Sequence, residues 1–244
     1  MSQHQILNST DHGQLRIQTE AGAEFGDNVM ASLAMPAEFR EVQAHYPIVL
    51  RRDAETGKLA ALALFGFEAG ENLFLATGLG GGTVWEARYR PMAHAVQPFL
   101  IGRPAQEGAT PQVHIDMASP RIAARGEGMR VFDDAGAPTP YLEAVATMLG
   151  DLDYAWQEGA AFFTALETYG LVEPFTLEVT LDNGAVQSLV GFLTIHEERL
   201  ASLDGEALAA LMREGHLARI YMVLASLAQF GNLIARKNRK VLLG

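Results

Sequence analysis

The hydrophobic pattern begins in earnest at residue 46. "YPIVLRR" (46–52) is aromatic and β-branched, and "GKLAALALFGF" (57–67) is a second apolar run. Asp53 to Gly57 lies between them as a turn, so the pair predicts a hairpin. "ENLFLAT" (71–77) and "PQVHIDMAS" (111–119) predict two further strands. The most regular alternation comes at 175–195: Thr176, Glu178 and Thr180 interleave with Leu177, Val179 and Leu181, and Asp182-Asn183-Gly184 supplies the turn of a second hairpin.

The period changes after Pro140. Leu142, Val145, Met148/Leu149, Leu152, Ala155/Trp156, Phe162/Phe163 and Leu166 fall at helical spacing, and Gly170 suits the C-terminal cap. This predicts a long helix over 141–170, with Gly150 or Gly159 as places for a break. Two more helices are expected at 204–215 and 216–240; the second carries a stripe of Leu217, Ile220/Tyr221, Leu224, Leu227/Ala228 and Leu233/Ile234. Pro36 suits the first turn of a short helix over 36–45. Residues 1–27 form a polar N-terminal arm, expected as a surface segment or an edge strand. "GLGGGT" (78–83) is a flexible turn, and 120–140 is the strongest loop, a place where the chain could divide into subdomains. The expected class is α+β: mainly antiparallel sheet in the N-terminal half, a long central helix, a hairpin and two C-terminal helices.

Charge narrows the partners. The net charge of −11 is the wrong sign for a nucleic-acid backbone. The absence of cysteine removes disulfides, thiolate nucleophiles and cysteine-held zinc. The N-terminus has no basic region followed by an apolar core, and polar residues interrupt each apolar stretch before the roughly 20 needed to cross a bilayer. A cytoplasmic protein without a membrane span is the expectation.

Candidate chemistry centres on "VHIDMASP" (113–120). His114 and Asp116, two apart on one strand face, match the start of a non-haem iron site, with His196 or His216 as the distant ligand. Such sites are built inside barrels of about eight strands. The pattern supplies six or seven, and the chain beyond His196 is helical. The alternative places Asp116 at a strand end, accepting backbone hydrogen bonds in the turn to Ser119-Pro120. "GLGGGT" lacks the third glycine, the helix and the acid of a dinucleotide fingerprint. No serine lies in a Gly-x-Ser-x-Gly setting, and Ser226 is expected to pack or to bond back onto its own helix. Asp133-Asp134 fits turn chemistry, and Glu197-Glu198 fits a helix start.

"WEARYRP" (85–91) gathers Trp85, Arg88, Tyr89 and Arg90 in a chain otherwise poor in positive charge. Arginine beside aromatics suits a carboxylate or a peptide; the structural alternative is a pair of snorkelling arginines on a core-facing strand. The basic tail "ARKNRK" (235–240) complements a helix C-terminus.

Several segments in order carry a resemblance: "YPIVL" (46–50), "GENLFL" (70–75), Trp85 with Tyr89-x-Pro91, "PF" at 98–99, "ID-x-x-SPRI" (115–122), "G-x-x-VFDDAGAPTPYL" (128–142), "FF-x-x-L-x-x-x-GLVEPF" (162–175), "GFLTIHEERLASL" (191–203) and "L-x-x-x-GHLARIYMVLASLAQFGNL" (211–233). Together they resemble the SapC family of bacterial proteins over roughly residues 35–235. The resemblance implies a single SapC-like domain. It also implies an association with surface layers and genomic neighbours that include halogenase-like flavoproteins and cupin-like hydroxylases. It supplies no catalytic residues. The family usually has an arginine-rich segment where this chain reads "HAVQPF" (94–99), and usually a small or apolar residue or cysteine at position 114. The leading expectation is a non-catalytic accessory or binding protein without a cofactor, taking a peptide, a protein or a small acidic ligand. Its groove is expected at Trp85, Arg88, Tyr89 and Arg90, with Asp116 and Ser119 at the edge. The alternatives are an iron-dependent oxygenase using His114, Asp116 and His196, and a self-assembling surface-layer-associated protein whose 217–234 stripe buries against a second copy.

Overall fold

The structure is a computed structural model that describes residues 3–102, 111–123 and 126–243. Residues 1–2 of the N-terminal arm and 124–125 of the 120–140 loop lie outside the described residues. The elements in chain order are β1 (His4–Ile6), α1 (Ser9–His12), β2 (Arg16–Ile17), β3 (Ala31–Leu33), α2 (Phe39–Val42), β4 (Ile48–Arg52), β5 (Leu59–Leu64), β6 (Leu75–Thr77), β7 (Thr83–Trp85), α3 (Met92–Ala95) and β8 (Phe99–Gly102). They continue with β9 (Gln112–Asp116), β10 (Met129–Arg130), α4 (Pro140–Thr168), β11 (Val172–Thr180), β12 (Val186–Ile195), α5 (Glu197–Ala201), α6 (Gly205–Arg213), α7 (His216–Ser226) and α8 (Gln229–Leu243). The class is α+β, with antiparallel sheets and a long central helix. The chain divides into two compact units. The first comprises Met1–Asn28, Leu75–Trp85 and Met92–Tyr154; the second comprises Val29–Phe74, Glu86–Pro91 and Ala155–Gly244.

The second unit is built on an antiparallel five-stranded sheet in the order β11-β12-β4-β5-β3. Ile48, Val49 and Leu50 are all fully buried, so both faces of β4 are covered. That is why its sequence is a continuous apolar run and not an alternation. Leu50 pairs with Ala61 of β5 on one side and Leu193 of β12 on the other. Tyr46, Phe65 and Phe74 meet edge to face, with ring centroids 5.1 Å (Tyr46–Phe65) and 4.6 Å (Tyr46–Phe74) apart. From the C-terminal half of α4, Phe162 meets Phe39 edge-on at 5.7 Å. Ser226 does two jobs: its Oγ donates back to the Val223 carbonyl (2.6 Å) and accepts from the Ile48 amide (2.8 Å). This supplies the entry of β4 with a partner in a dry setting, where an unpaired amide is costly.

The first unit contains the three-stranded sheet β1-β9-β8, the pair β2–β10 and the hairpin β6–β7. Ile17, Val96, Phe99, Ile115, Val131, Phe132, Leu142, Val145 and Leu149 make one core cluster. The polar arm is therefore no mere surface segment. It supplies β1 to a sheet edge, and it carries Ile17 and Asp27, both fully buried.

Five expectations change. Only Leu75–Thr77 of the stretch 71–77 is strand, and it pairs with β7. The residues before it bend, because Asn72 Oδ1 takes the Phe74 amide and Glu71 Oε2 takes the Phe67 amide. The long helix runs unbroken through both glycines. Gly159 is a close-approach site, where a Cβ would lie 3.0 Å from Pro36 Cδ. Trp156 leaves the expected stripe: it is 56% exposed while Ala155 is buried. The 216–240 stripe is split at Leu227-Ala228 into α7 and α8. By length and composition alone, His216–Leu242 is long and apolar enough to cross a bilayer, contrary to the sequence expectation. Here its Ile220, Val223 and Leu233 are fully buried.

Candidate functional site

The sequence-predicted residues fall into both units. Trp85, His114, Asp116 and Ser119 belong to the first; Arg88, Tyr89, Arg90 and His196 belong to the second.

In the first unit, Asp116 caps a turn. Its Oδ1 accepts from the Ala118 amide (3.0 Å) and the Gln3 amide (2.7 Å). The Gln3 and Ala118 amides outweigh partial burial and hold the carboxyl below its usual range. His114 does not converge with it. A Cβ at Gly102 would fall 2.0 Å from His114 Nε2, so the ring lies over Gly102. Gly102 pairs with Gln112, and the imidazole therefore leans along β9 away from Asp116. His196 caps α5, its Nδ1 accepting from the Arg199 amide at 3.4 Å. Among the described residues, no group of three or more His, Asp or Glu side chains is placed to hold a metal.

The turn that Asp116 opens has a further consequence. Ser119 Oγ accepts from the Arg121 amide (3.2 Å), and the Arg121 side chain runs inward, 4% exposed. There Arg121 Nη2 donates to Asp27 Oδ1, while Nη1 donates to the carbonyls of Gln18 (3.0 Å) and Glu20 (3.2 Å). His94 Nε2 meets the same Asp27 oxygen at 2.8 Å, and the Gly22 amide donates to Asp27 Oδ2 at 2.9 Å. Trp85, 9% exposed, lies against the His94 ring with centroids 5.1 Å apart. Burial alone would raise the Asp27 carboxyl. The His94 hydrogen bond, the Gly22 amide and the Arg121 charge outweigh it and hold the group at about 2. Asp27, His94 and Arg121 form the buried polar centre of this unit, and none of them stands out in the sequence. Arg121 and His94 lie within the segments 115–122 and 94–99, but nothing in either stretch marks them as partners of Asp27.

In the second unit, residues 86–91 form a strap, pinned at several points. The Glu86 amide donates to the Phe74 carbonyl (2.8 Å), and Glu86 Oε2 takes Arg236 Nη1 (2.5 Å). The Tyr89 carbonyl accepts from the Tyr46 hydroxyl (2.6 Å), and the Tyr89 hydroxyl donates to buried Glu38 (2.6 Å). Burial and that bond to a carboxylate push the Tyr89 phenol up. Glu38 is fixed in turn by the Met35 amide (2.8 Å). Arg90 is half-buried and engaged. Arg88 is exposed, and its guanidinium has no hydrogen-bond or ion-pair partner among the described residues.

The strap's neighbours include aromatic rings and a second arginine. Arg236 Cζ sits 4.4 Å from the Phe74 centroid, and the His45 ring is 5.9 Å from that of Tyr46. His45 titrates below its usual range because it is part-buried and because Arg88 and Arg236 repel its proton against the pull of Glu41.

These features define an α+β protein with a buried charge cluster on Asp27 and a pinned, arginine-bearing strap. The SapC family model matches residues 7–233, nearly the whole chain, and the protein belongs to the SapC family. Comparison with curated proteins and with solved structures found no match.

Proposed function

We propose that this SapC-family protein is a non-catalytic, cytoplasmic accessory protein that binds an acidic ligand, a peptide or a protein through the strap at 86–91. One observation carries the reading. Every other polar side chain on the strap is engaged within the fold, whereas Arg88 is exposed and has no partner among the described residues. A planar guanidinium on a rigid support matches a carboxylate with two parallel hydrogen bonds. Rigid support matters because less freedom is lost on docking. Tyr89 serves this site as structure and not as contact surface, since its hydroxyl is tied to Glu38.

The test is capture by the immobilised full chain from native lysate, compared with Arg88→Ala. Arg88 is exposed, so its loss leaves the fold and the unfolding midpoint unchanged. The reading expects partners retained by the natural chain and lost by the variant. An identical retained set would sink it.

A further inference from the structure

Helices α7 and α8 have one spent face and one open one. The amides of Leu227, Ala228, Phe230 and Gly231 each bond a carbonyl three residues back, so helical turns run through the junction between them. The inner face belongs to the fold: Ile220, Val223, Phe230 and Leu233 are buried, and Ser226 bonds the Ile48 amide. Ile220 and Leu233 of the stripe expected for self-association are therefore used up. The outer face carries Tyr221, Ala225, Ala228, Asn232, Ala235 and Arg239, all exposed, at alternating spacings of four and three. A helix face turned to water normally carries charge, yet no charged residue lies between Arg219 and Arg236.

The spacing has a centre. Tyr221 and Arg239 lie nine residues either side of Phe230, Ala225 and Ala235 five, and Ala228 and Asn232 two. A two-fold axis crossing the outer face at the height of Phe230 sets each member of these pairs against the other member on a second copy. We infer that the face pairs in this way, antiparallel, with the same face of a second copy. Charge decides the direction. Neither α7 nor α8 contains an acid, and Arg219, Arg236, Lys237, Arg239 and Lys240 are all basic. A parallel pair would lay the basic ends of α8 side by side. The antiparallel pair holds the two copies of Arg239 eighteen residues of helix apart, about 27 Å, against a Debye length of about 8 Å. It also opposes the helix dipoles. Arg239 has no hydrogen-bond or ion-pair partner among the described residues, and Tyr221, 55% exposed, offers a ring face to a cation. The alanines between them let two backbones approach closely. A bilayer surface is the poorer occupant, because a helix lying on lipid buries Trp, Phe or Leu. The pairing is independent of what the strap binds.

Disulfide trapping tests it, on a chain that has no cysteine of its own. Full-length Ala225→Cys and Ala235→Cys chains, one carrying a size tag, are oxidised separately and as a mixture. The mixture is expected to give the tagged–untagged heterodimer. Either variant alone gives little homodimer, since like cysteines lie about 15 Å apart along the pair. Homodimers in equal yield overturn the antiparallel register, and no dimer in any sample overturns the pairing. Sedimentation without cysteines is the second measurement. Arg239→Glu is expected to weaken dimerisation about tenfold, and Tyr221→Arg with Arg239→Glu to restore it. Unchanged dimerisation of Arg239→Glu overturns the Tyr221–Arg239 contact. Binding of the natural chain to phosphatidylglycerol vesicles, lost in Arg239→Glu and with no heterodimer trapped, would assign the face to a membrane and overturn the proposal.

Discussion

Arg121 donates to the carboxylate of Asp27 across 94 positions of sequence, and both side chains are buried. The same oxygen receives His94. Three distant segments of the first unit therefore meet on one carboxylate.

Removing one partner of a buried ion pair leaves the other uncompensated, at a cost of about 3–5 kcal/mol. Asp27→Asn strands the Arg121 guanidinium in this way. Urea denaturation is expected to show that loss. Asp27→Asn with Arg121→Met recovers part of it. A loss below about 1 kcal/mol for Asp27→Asn would show that the pair is not a fold determinant.

The same carboxyl makes stability depend on pH. Its folded value of about 2 lies below the ordinary aspartate value near 3.9. The stabilisation it contributes is fully present above the unfolded value and is lost as pH falls through the folded one. By linkage it amounts to about 2–3 kcal/mol. Unfolding measured between pH 5 and pH 2 is expected to show this component in the natural chain and to lack it in Asp27→Asn.

Two glycines separate backbone conformation from crowding. Gly128 and Gly184 both have positive φ, +76° and +84°. A Cβ at Gly128 would lie 2.6 Å from the Ile17 carbonyl oxygen, whereas at Gly184 it meets nothing within 4 Å. Gly184→Ala is expected to cost about 1 kcal/mol, for conformation alone. Gly128→Ala adds about 1–3 kcal/mol for the clash. Equal thermal shifts for the two variants would remove the crowding argument.

The exposed margin of the sheet is guarded. β11 is an outer strand, and the Leu181 amide bonds the Ala185 carbonyl at 2.8 Å. Alternation from that pair turns the backbone groups of Glu178 and Thr180 outward. Pro174 lacks a donor, a register shift lies between Phe175 and Leu177, and Glu178 adds charge. Proline, a bulge and charge are the devices that stop edge pairing. Pro174→Val with Glu178→Val is therefore expected to self-associate, with light scattering that grows with concentration. A monodisperse double variant would count against this role.

Much of the secondary structure was legible from period alone. The hairpins at 48–64 and 172–195 and the long helix are carried by local alternation and spacing. What escaped depends on distant contacts. Gly159 looks like a helix break until Pro36 packs against it. The loop before β6 looks like strand until Glu71 and Asn72 turn inward onto backbone amides. The charge centre was hidden for the same reason, because Asp27, His94 and Arg121 have no spacing in common. Arg121 carried a faint signal as a charge set between Pro120 and Ile122. The strap was the legible part of the proposed site: Arg88 and Tyr89 stand out by composition. Nothing local pointed to Arg236, which reaches the strap from α8.

The division of the chain has an evolutionary corollary. It passes from one unit to the other after Asn28, Phe74, Trp85, Pro91 and Tyr154. Any single breakpoint placed between residues 29 and 154 severs both units at once. Neither half can be copied, fused or lost as a contiguous cassette, so recombination must move this fold as a whole.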